Sequence, residues 1–172
     1  MTRTSTDHEE IGVPESLTAE AVSNCFGCAP KNPIGLRLVI EPEGEGYRAS
    51  VKLGADYESF PGVVHGGIVA AVLDELLAQA VYRSGRTSAF TAGLRIRYAQ
   101  PMRTDTEYLV SAETTVRADE SVRATGRIEQ ADGGLVAAAD GTFYLLTDEV
   151  LDASEDRLPT GLAQALRSSN QS

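Results

Sequence analysis

One apolar run with helical spacing limits most strongly what this chain can fold into. Residues 68–81 place Ile68, Val69, Val72, Leu73, Leu76, Leu77, Ala80 and Val81 around nearly the whole circumference of a helix. A helix that is apolar on most sides has to be enclosed by protein. The alanines at 70, 71, 78 and 80 let a sheet or another helix approach closely. Pro61 and Gly62 make a turn ahead of the run, and His65-Gly66-Gly67 opens a helix expected over residues 66–83. Inside the run stands Asp74, followed by Glu75. An unpaired carboxylate in an apolar helix is costly, and core packing does not favour Asp over Leu. The structural alternative is a narrow exposed stripe shared with Gln79 and Arg83. Successive residues lie about 100° apart around a helix, so Asp74 and Glu75 cannot face one pocket. Bare backbone N–H groups at a helix start, with a carboxylate on the same helix, suit acyl chemistry. The N–H groups can hold a developing oxyanion, and the carboxylate can serve as base or nucleophile.

The surrounding elements decide the fold class. Residues 36–41 read as a strand, 42–46 as a turn, and 47–53 as a second strand with Tyr47, Ala49, Val51 and Leu53 on one face. Beyond the break at Ser84-Gly85 come strands expected at 88–100, 107–117, 121–130 and 135–146; Ala131-Asp132-Gly133-Gly134 marks a hairpin turn. Hairpin, one long helix and an antiparallel meander make an α+β pattern, a sheet wrapped around one central helix. Residues 24–147 are expected to form this domain. Residues 1–23 read as an N-terminal tail with a short helix at 15–22, and 148–172 as a C-terminal tail with a helical pattern at 161–167.

Charge narrows the partners. Of the net charge of −10, −4 falls in residues 1–20 and −3 in 148–172. The middle is nearly balanced and has no basic stripe, which disfavours nucleic acid. The first twenty residues are polar and acidic, and no apolar run approaches the roughly 20 residues that span a bilayer. The expectation is a cytoplasmic protein without a membrane partner. Cys25-Phe26-Gly27-Cys28 lacks the second cysteine pair of a four-ligand zinc site, and His8 and His65 are the only histidines. A redox C-x-x-C usually opens a helix after a strand, whereas this one lies in a loop before Pro30. It reads as a structural loop; neither a metal nor a cofactor is expected.

His65-Gly66-Gly67 with Asp74 at this offset, followed by Arg97-Tyr98 and Pro101, resembles the hot-dog-fold acyl-CoA thioesterases, in particular the branch like the phenylacetate-pathway enzymes. Asn24-Cys25-Phe26-Gly27-Cys28 and Asn32-Pro33-Ile34-Gly35-Leu36 also look like the opening of many bacterial members. The resemblance covers residues 24–146. It implies Asp74 as the catalytic carboxylate, Gly66 N–H as the group that polarises the thioester carbonyl, and His65 in a positioning role. Aligning the family's Tyr-x-x-Pro on Tyr98–Pro101 places its hydroxyl residue at Thr91, which in relatives reaches in from the neighbouring subunit. Ser59 stands where many relatives have Asn. Gly67, Ser59 and Glu75 are carried as further candidates at the substrate, and Arg95, Arg97 and Arg103 as candidates for gripping coenzyme A. A solvated strand face is the competing account of Arg95 and Arg97.

The implied activity is hydrolysis of an acyl-CoA, or of a carrier-protein-bound acyl group, by a homodimer or dimer of dimers with shared sites. Asp74 would activate water or attack to give a mixed anhydride. The alternatives are a non-catalytic acyl-CoA-binding protein and a hydratase or dehydratase of the same fold. The latter usually carry Asp-x-Asn-Pro-x-His, which this chain lacks.

Overall fold

A computed structural model of the chain describes residues 24–118, 120–154, 156, 158 and 161–171. The helix expected at 15–22 and the rest of the N-terminal tail lie outside these residues. Strands β1 (Glu41–Glu43) and β2 (Gly46–Lys52) form a hairpin, and β3 (Glu58–Phe60) and β4 (Val63–Val64) a small second one. Helix α1 (Gly66–Gly85) follows, then β5 (Ala89–Tyr98), β6 (Glu107–Arg117), β7 (Ser121–Glu129) and β8 (Leu135–Leu145). Two short helices, α2 (Asp148–Ser154) and α3 (Leu162–Asn170), end the chain.

Helix α1 is enclosed as its composition requires. It packs on β2, β5, β6, β7 and β8, and Val72, Leu73, Leu76, Leu77, Ala80 and Val81 are fully buried. The sheet wraps this helix and presents Ala49, Val51, Val110, Ala124, Ile128, Ala137 and Phe143 to it. Each of these strands alternates buried and exposed positions, the pattern of a sheet with one dry face.

Two expectations are corrected. The strand order is β1-β2-β6-β7-β8-β5, so only β6, β7 and β8 form a meander. Strand β5 lies at the far edge, beside β8, because the segment joining it to β6 crosses the start of α1. On that crossing Met102 O accepts from Val64 N, Thr104 N donates to Gly62 O, and Asp105 N donates to Leu53 O. The chain is thus delivered to the end of β2, where Glu107 pairs with Lys52. The second correction concerns residues 36–41. Leu36, Leu38 and Ile40 are buried in alternation, but Arg37 has a φ of 54°, and Leu36 N and Leu38 N donate to Phe26 O and Gly27 O. This stretch is stitched to the cysteine loop, and only Glu41–Glu43 join the sheet.

The described residues after Thr147 pack back on the domain. Leu151 and Ala163 are buried, Tyr82 Oη donates to Ser169 O at 2.8 Å, and the Asn170 side chain bridges Ser88 N and Leu146 O. No helix among the described residues is long and apolar enough to cross a membrane.

Leu76 sits at the enclosed centre of α1 with no exposed surface. Leu76→Ala is expected to cost about 2–5 kcal/mol, by lost transfer energy plus an unfilled cavity. Chemical denaturation would read this as a lowered midpoint with an unchanged slope; a loss within error would mean that α1 is not the core.

Candidate active site

The start of α1 is held from three sides. His65 N donates to Tyr57 O at 2.8 Å, Val64 N donates to Met102 O at 2.9 Å, and Tyr98 Oη donates to Gly66 O at 2.9 Å. His65 is the N-cap residue, in extended conformation, and its Nδ1 accepts from Gly67 N at 2.9 Å. A Cβ on residue 67 would stand 3.1 Å from that nitrogen, so glycine leaves room for the ring to fold over the helix start. Ile68 N and Val69 N are taken up by His65 O. Gly66 N–H alone of the first-turn donors has no acceptor among the described residues. Gly66 lines a cleft of about 320 Å3 together with Val64, Val69, Tyr98 and Met102. A free, exposed N–H at the positive end of a 20-residue helix is a ready donor to an anionic oxygen.

Asp74 is half-buried on α1, and Thr91 Oγ1 donates to its Oδ1 at 2.9 Å. A β-bulge makes this contact. Leu94 and Ile96 pack toward the core and Tyr98 reaches α1. Continuing their alternation back along β5 would turn Thr91 to the other face. The register with β8 shifts between Thr91 and Gly93, so Thr91 pairs with Phe143 and faces the helix. Thr91 and Asp74 therefore meet within one chain. The resemblance, by contrast, implies a hydroxyl from a neighbouring subunit.

The two halves of the site are apart in one chain. Gly66 and Asp74 are eight residues apart on α1, which puts them about 12 Å apart along its axis. No single carbonyl can touch both.

The other candidates separate. Glu75 points away from Asp74: its Oε2 accepts from Cys25 Sγ at 3.5 Å and its Oε1 from Gln79 Nε2 at 3.1 Å. Burial first, then its hydrogen bond with Glu75, push the Cys28 thiol well above its ordinary range. Arg95 and Arg97 lie on the sheet face opposite α1, paired in register with Asp140 and Ala138, and Arg97 lines a polar groove there. The fold does not bring them to Asp74 or Gly66. Arg103 does come near: its backbone bridges Val63, two residues before His65, and its guanidinium has no acidic partner among the described residues. Ser59 is exposed in β3. Leu73 and Leu77 are sealed in the core, while Phe60, Phe90 and Tyr98 are at least half exposed. Sequence reasoning missed the role of Tyr98 in holding Gly66, and nothing in its local pattern signals that contact.

Residues 61–137 match the model of a family described as the thioesterase superfamily. Among solved structures, a thioesterase superfamily protein is 26% identical over 71% of this chain, with a TM-score of 0.66. The chain has the hot-dog fold of the thioesterase superfamily. That first neighbour is the longer protein, and the match covers 60% of it. A Bacillus halodurans protein solved with CoA is 29% identical over 57% of this chain and 70% of its own, with a TM-score of 0.52. A Ralstonia eutropha protein described as phenylacetic acid degradation-related is 22% identical over 73% of this chain and 97% of its own, with a TM-score of 0.60. No curated protein matches. The superfamily segment begins just before the cap of α1 and ends in β8, so it takes in Gly66, Asp74 and Thr91.

The capping bond gives a local prediction. His65→Ala is expected to cost about 1 kcal/mol, in the range of a lost N-cap, whereas His65→Asn keeps an acceptor for Gly67 N and recovers most of it. Urea unfolding of the two variants makes the comparison; equal losses would mean that the ring acts by packing alone.

Proposed function

We infer that the protein hydrolyses acyl thioesters, with coenzyme A thioesters as the substrate class, in composite sites formed by two copies of the chain. The observation that carries this is the division of the machinery along α1. A free Gly66 N–H and an Asp74–Thr91 pair are both built, yet lie about 12 Å apart in one chain. An oxyanion donor and a base have to sit within about 3 Å of the same reacting group. A second copy related by a two-fold axis perpendicular to α1 would run its α1 antiparallel to the first and could bring its Gly66 opposite Asp74. Strand β5 supports such pairing. It is a ten-residue edge strand with one side of its backbone unpaired, and it exposes Phe90 and Tyr98. Long, open edges of this kind are normally covered. Gly66 and His65, rather than Thr91, would then come from the partner, the reverse of the division expected from the resemblance. Dimers of dimers are compatible with this unit.

In this arrangement Asp74 takes a proton from a water as the water oxygen attacks the thioester carbonyl carbon. Thr91 Oγ1 orients the carboxylate. The oxygen that gains negative charge lies on the partner's Gly66 N–H, where the helix dipole favours it. Collapse of the tetrahedral adduct breaks the C–S bond, and the departing thiolate recovers the proton from Asp74. The free acid and the thiol leave. Arg103, whose backbone lies next to the helix start and whose guanidinium has no acidic partner among the described residues, would meet a phosphate of coenzyme A. The CoA held by the Bacillus halodurans neighbour supports this substrate class.

Asp74→Asn is expected to lower thioester hydrolysis by about 100-fold or more, in line with loss of a general base. Release of free thiol from acyl-CoA is the measurement, and an undiminished rate would remove Asp74 from the chemistry. Gly66→Pro deletes the N–H at a position where a helix tolerates proline, and should also abolish turnover in a folded protein. Mixing the two inactive variants should restore activity, because a heterodimer holds one intact site. Failure to restore it, with mixed dimers demonstrated, would place both groups in one chain's site. In a single turnover in ¹⁸O-labelled water the product acid should carry the label; unlabelled acid would instead identify direct attack by Asp74.

A further inference from the structure

We propose that Cys25, Cys28 and Glu75 form a three-ligand site for a thiophilic divalent metal ion, zinc above all, that ties the N-terminal loop to α1. The two sulfurs and a carboxylate oxygen lie within 4.8 Å of one another, and all three residues are half-buried. A tetrahedral zinc holds sulfur at about 2.3 Å and oxygen at about 2.0 Å, which sets such ligands about 3.5 Å apart. Cys25 Sγ and Glu75 Oε2 are 3.5 Å apart. The loop is shaped for this approach. Gly27, between the cysteines, is buried against Glu75, and a Cβ there would stand 2.2 Å from Oε2. Any other residue would expel the carboxylate from between the thiols.

The frame around the ligands is held independently of them. Buried Asn32 donates from Nδ2 to Asn24 O at 3.1 Å and accepts at Oδ1 from Ile34 N at 3.1 Å. Leu36 N and Leu38 N hold the carbonyls of Phe26 and Gly27. Cys28 N donates to Cys25 Sγ at 3.5 Å, a bond that favours negative charge on sulfur. Glu75 has no cationic partner among the described residues. Its neutral neighbour Gln79 donates to Glu75 Oε1 at 3.1 Å and lies 3.6 Å from Cys28 Sγ. The group thus presents two sulfurs and a carboxylate with no positive side chain between them. Two soft sulfurs with one oxygen select zinc or cobalt over magnesium or calcium. The fourth position is left to water, at the rim where the Gln79 amide lies. Binding releases the thiol protons to solvent and changes no oxidation state. The site lies on the flank of α1 turned away from Asp74.

The reduced, metal-stripped full-length protein is titrated with Co(II) alone. A thiolate-to-cobalt charge-transfer band should rise and saturate at one equivalent per chain, and zinc should displace it. Cys25→Ser and Cys28→Ser should each abolish the band. Glu75→Gln, which keeps the shape of the side chain and the fold, should weaken Co(II) binding tenfold or more. Zinc should raise the melting temperature of the wild type and not that of Cys25→Ser. No band in the reduced wild type would overturn the proposal, as would a band that survives loss of either cysteine. A Glu75→Gln protein that binds cobalt as tightly as the wild type would overturn it too. Should the serine variants fail to fold, the wild type and Glu75→Gln titrations decide alone.

Discussion

A helix with apolar side chains around most of its circumference cannot stand at a surface, and the architecture follows from how α1 is covered. Five strands supply the cover, and the order in which they are added follows from that task. The chain leaves α1 through a left-handed Arg86, lays β5 beside it, and passes beneath its N-terminus to begin β6 against β2. That passage does two things at once. It closes the sheet round the helix, and its Met102–Val64 and Thr104–Gly62 bonds hold the turn on which His65 and Gly66 are presented. The packing of the core and the placement of the exposed N–H are therefore one piece of construction. A change that loosened the crossing would be felt at Gly66 before it was felt in the core.

The rigidity of α1 is also a constraint on chemistry. A straight helix separates its residues by a fixed rise, so the free N–H at its start and the carboxylate two turns on cannot bend toward each other. The same helix, enclosed on most sides, leaves its N-terminus exposed at Gly66 and its β5 flank half-buried at Asp74. That flank meets the edge strand whose bulge turns Thr91 inward. A bulge at a sheet edge costs a regular ladder bond and yields a hydroxyl aimed at Asp74. Local irregularity next to a polar group on an otherwise apolar helix is what one expects where regular packing has yielded to a site.

Much of the fold was legible because it depends on periodicity. The start of α1, the strand from 47, and the strands from 107, 121 and 135 all show in alternation or helical spacing, since each buries one face against a single core. The position of β5 was not legible, because its neighbour is chosen by a crossing made with backbone atoms that any sequence possesses. The Thr91 contact was hidden for a related reason: alternation along β5 counts residues, and a bulge adds one without a compositional mark. Residues 36–40 alternate like a strand, and they do bury one face, but their backbone partners lie in the cysteine loop. Hydrophobic alternation reports burial, not the identity of the strand alongside. The candidate site was legible in part. Asp74, Gly66 and His65 stand out as polar or bare positions in an apolar run, whereas the partition of Asp74 from Glu75 was visible only as an angle.

That angle matters more in the folded chain than in the sequence. Adjacent acids on a helix point to different neighbours, and here the neighbours are chemically unlike: a threonine hydroxyl for Asp74, two thiols for Glu75. Cys25 and Cys28 alone are too few to hold a metal ion, and nothing near them in sequence makes up the number. The third donor comes from a residue 50 positions away, admitted because Gly27 has no side chain. The same helix thus carries two carboxylates with separate employment. In the proposed function the one on the β5 flank keeps access to substrate. The one on the loop flank needs only to stay fixed, and a bound cation would fix it more firmly than Gln79 does. Anchoring the loop there would hold α1 from the side that the sheet does not cover, and would leave the Asp74 flank free for chemistry.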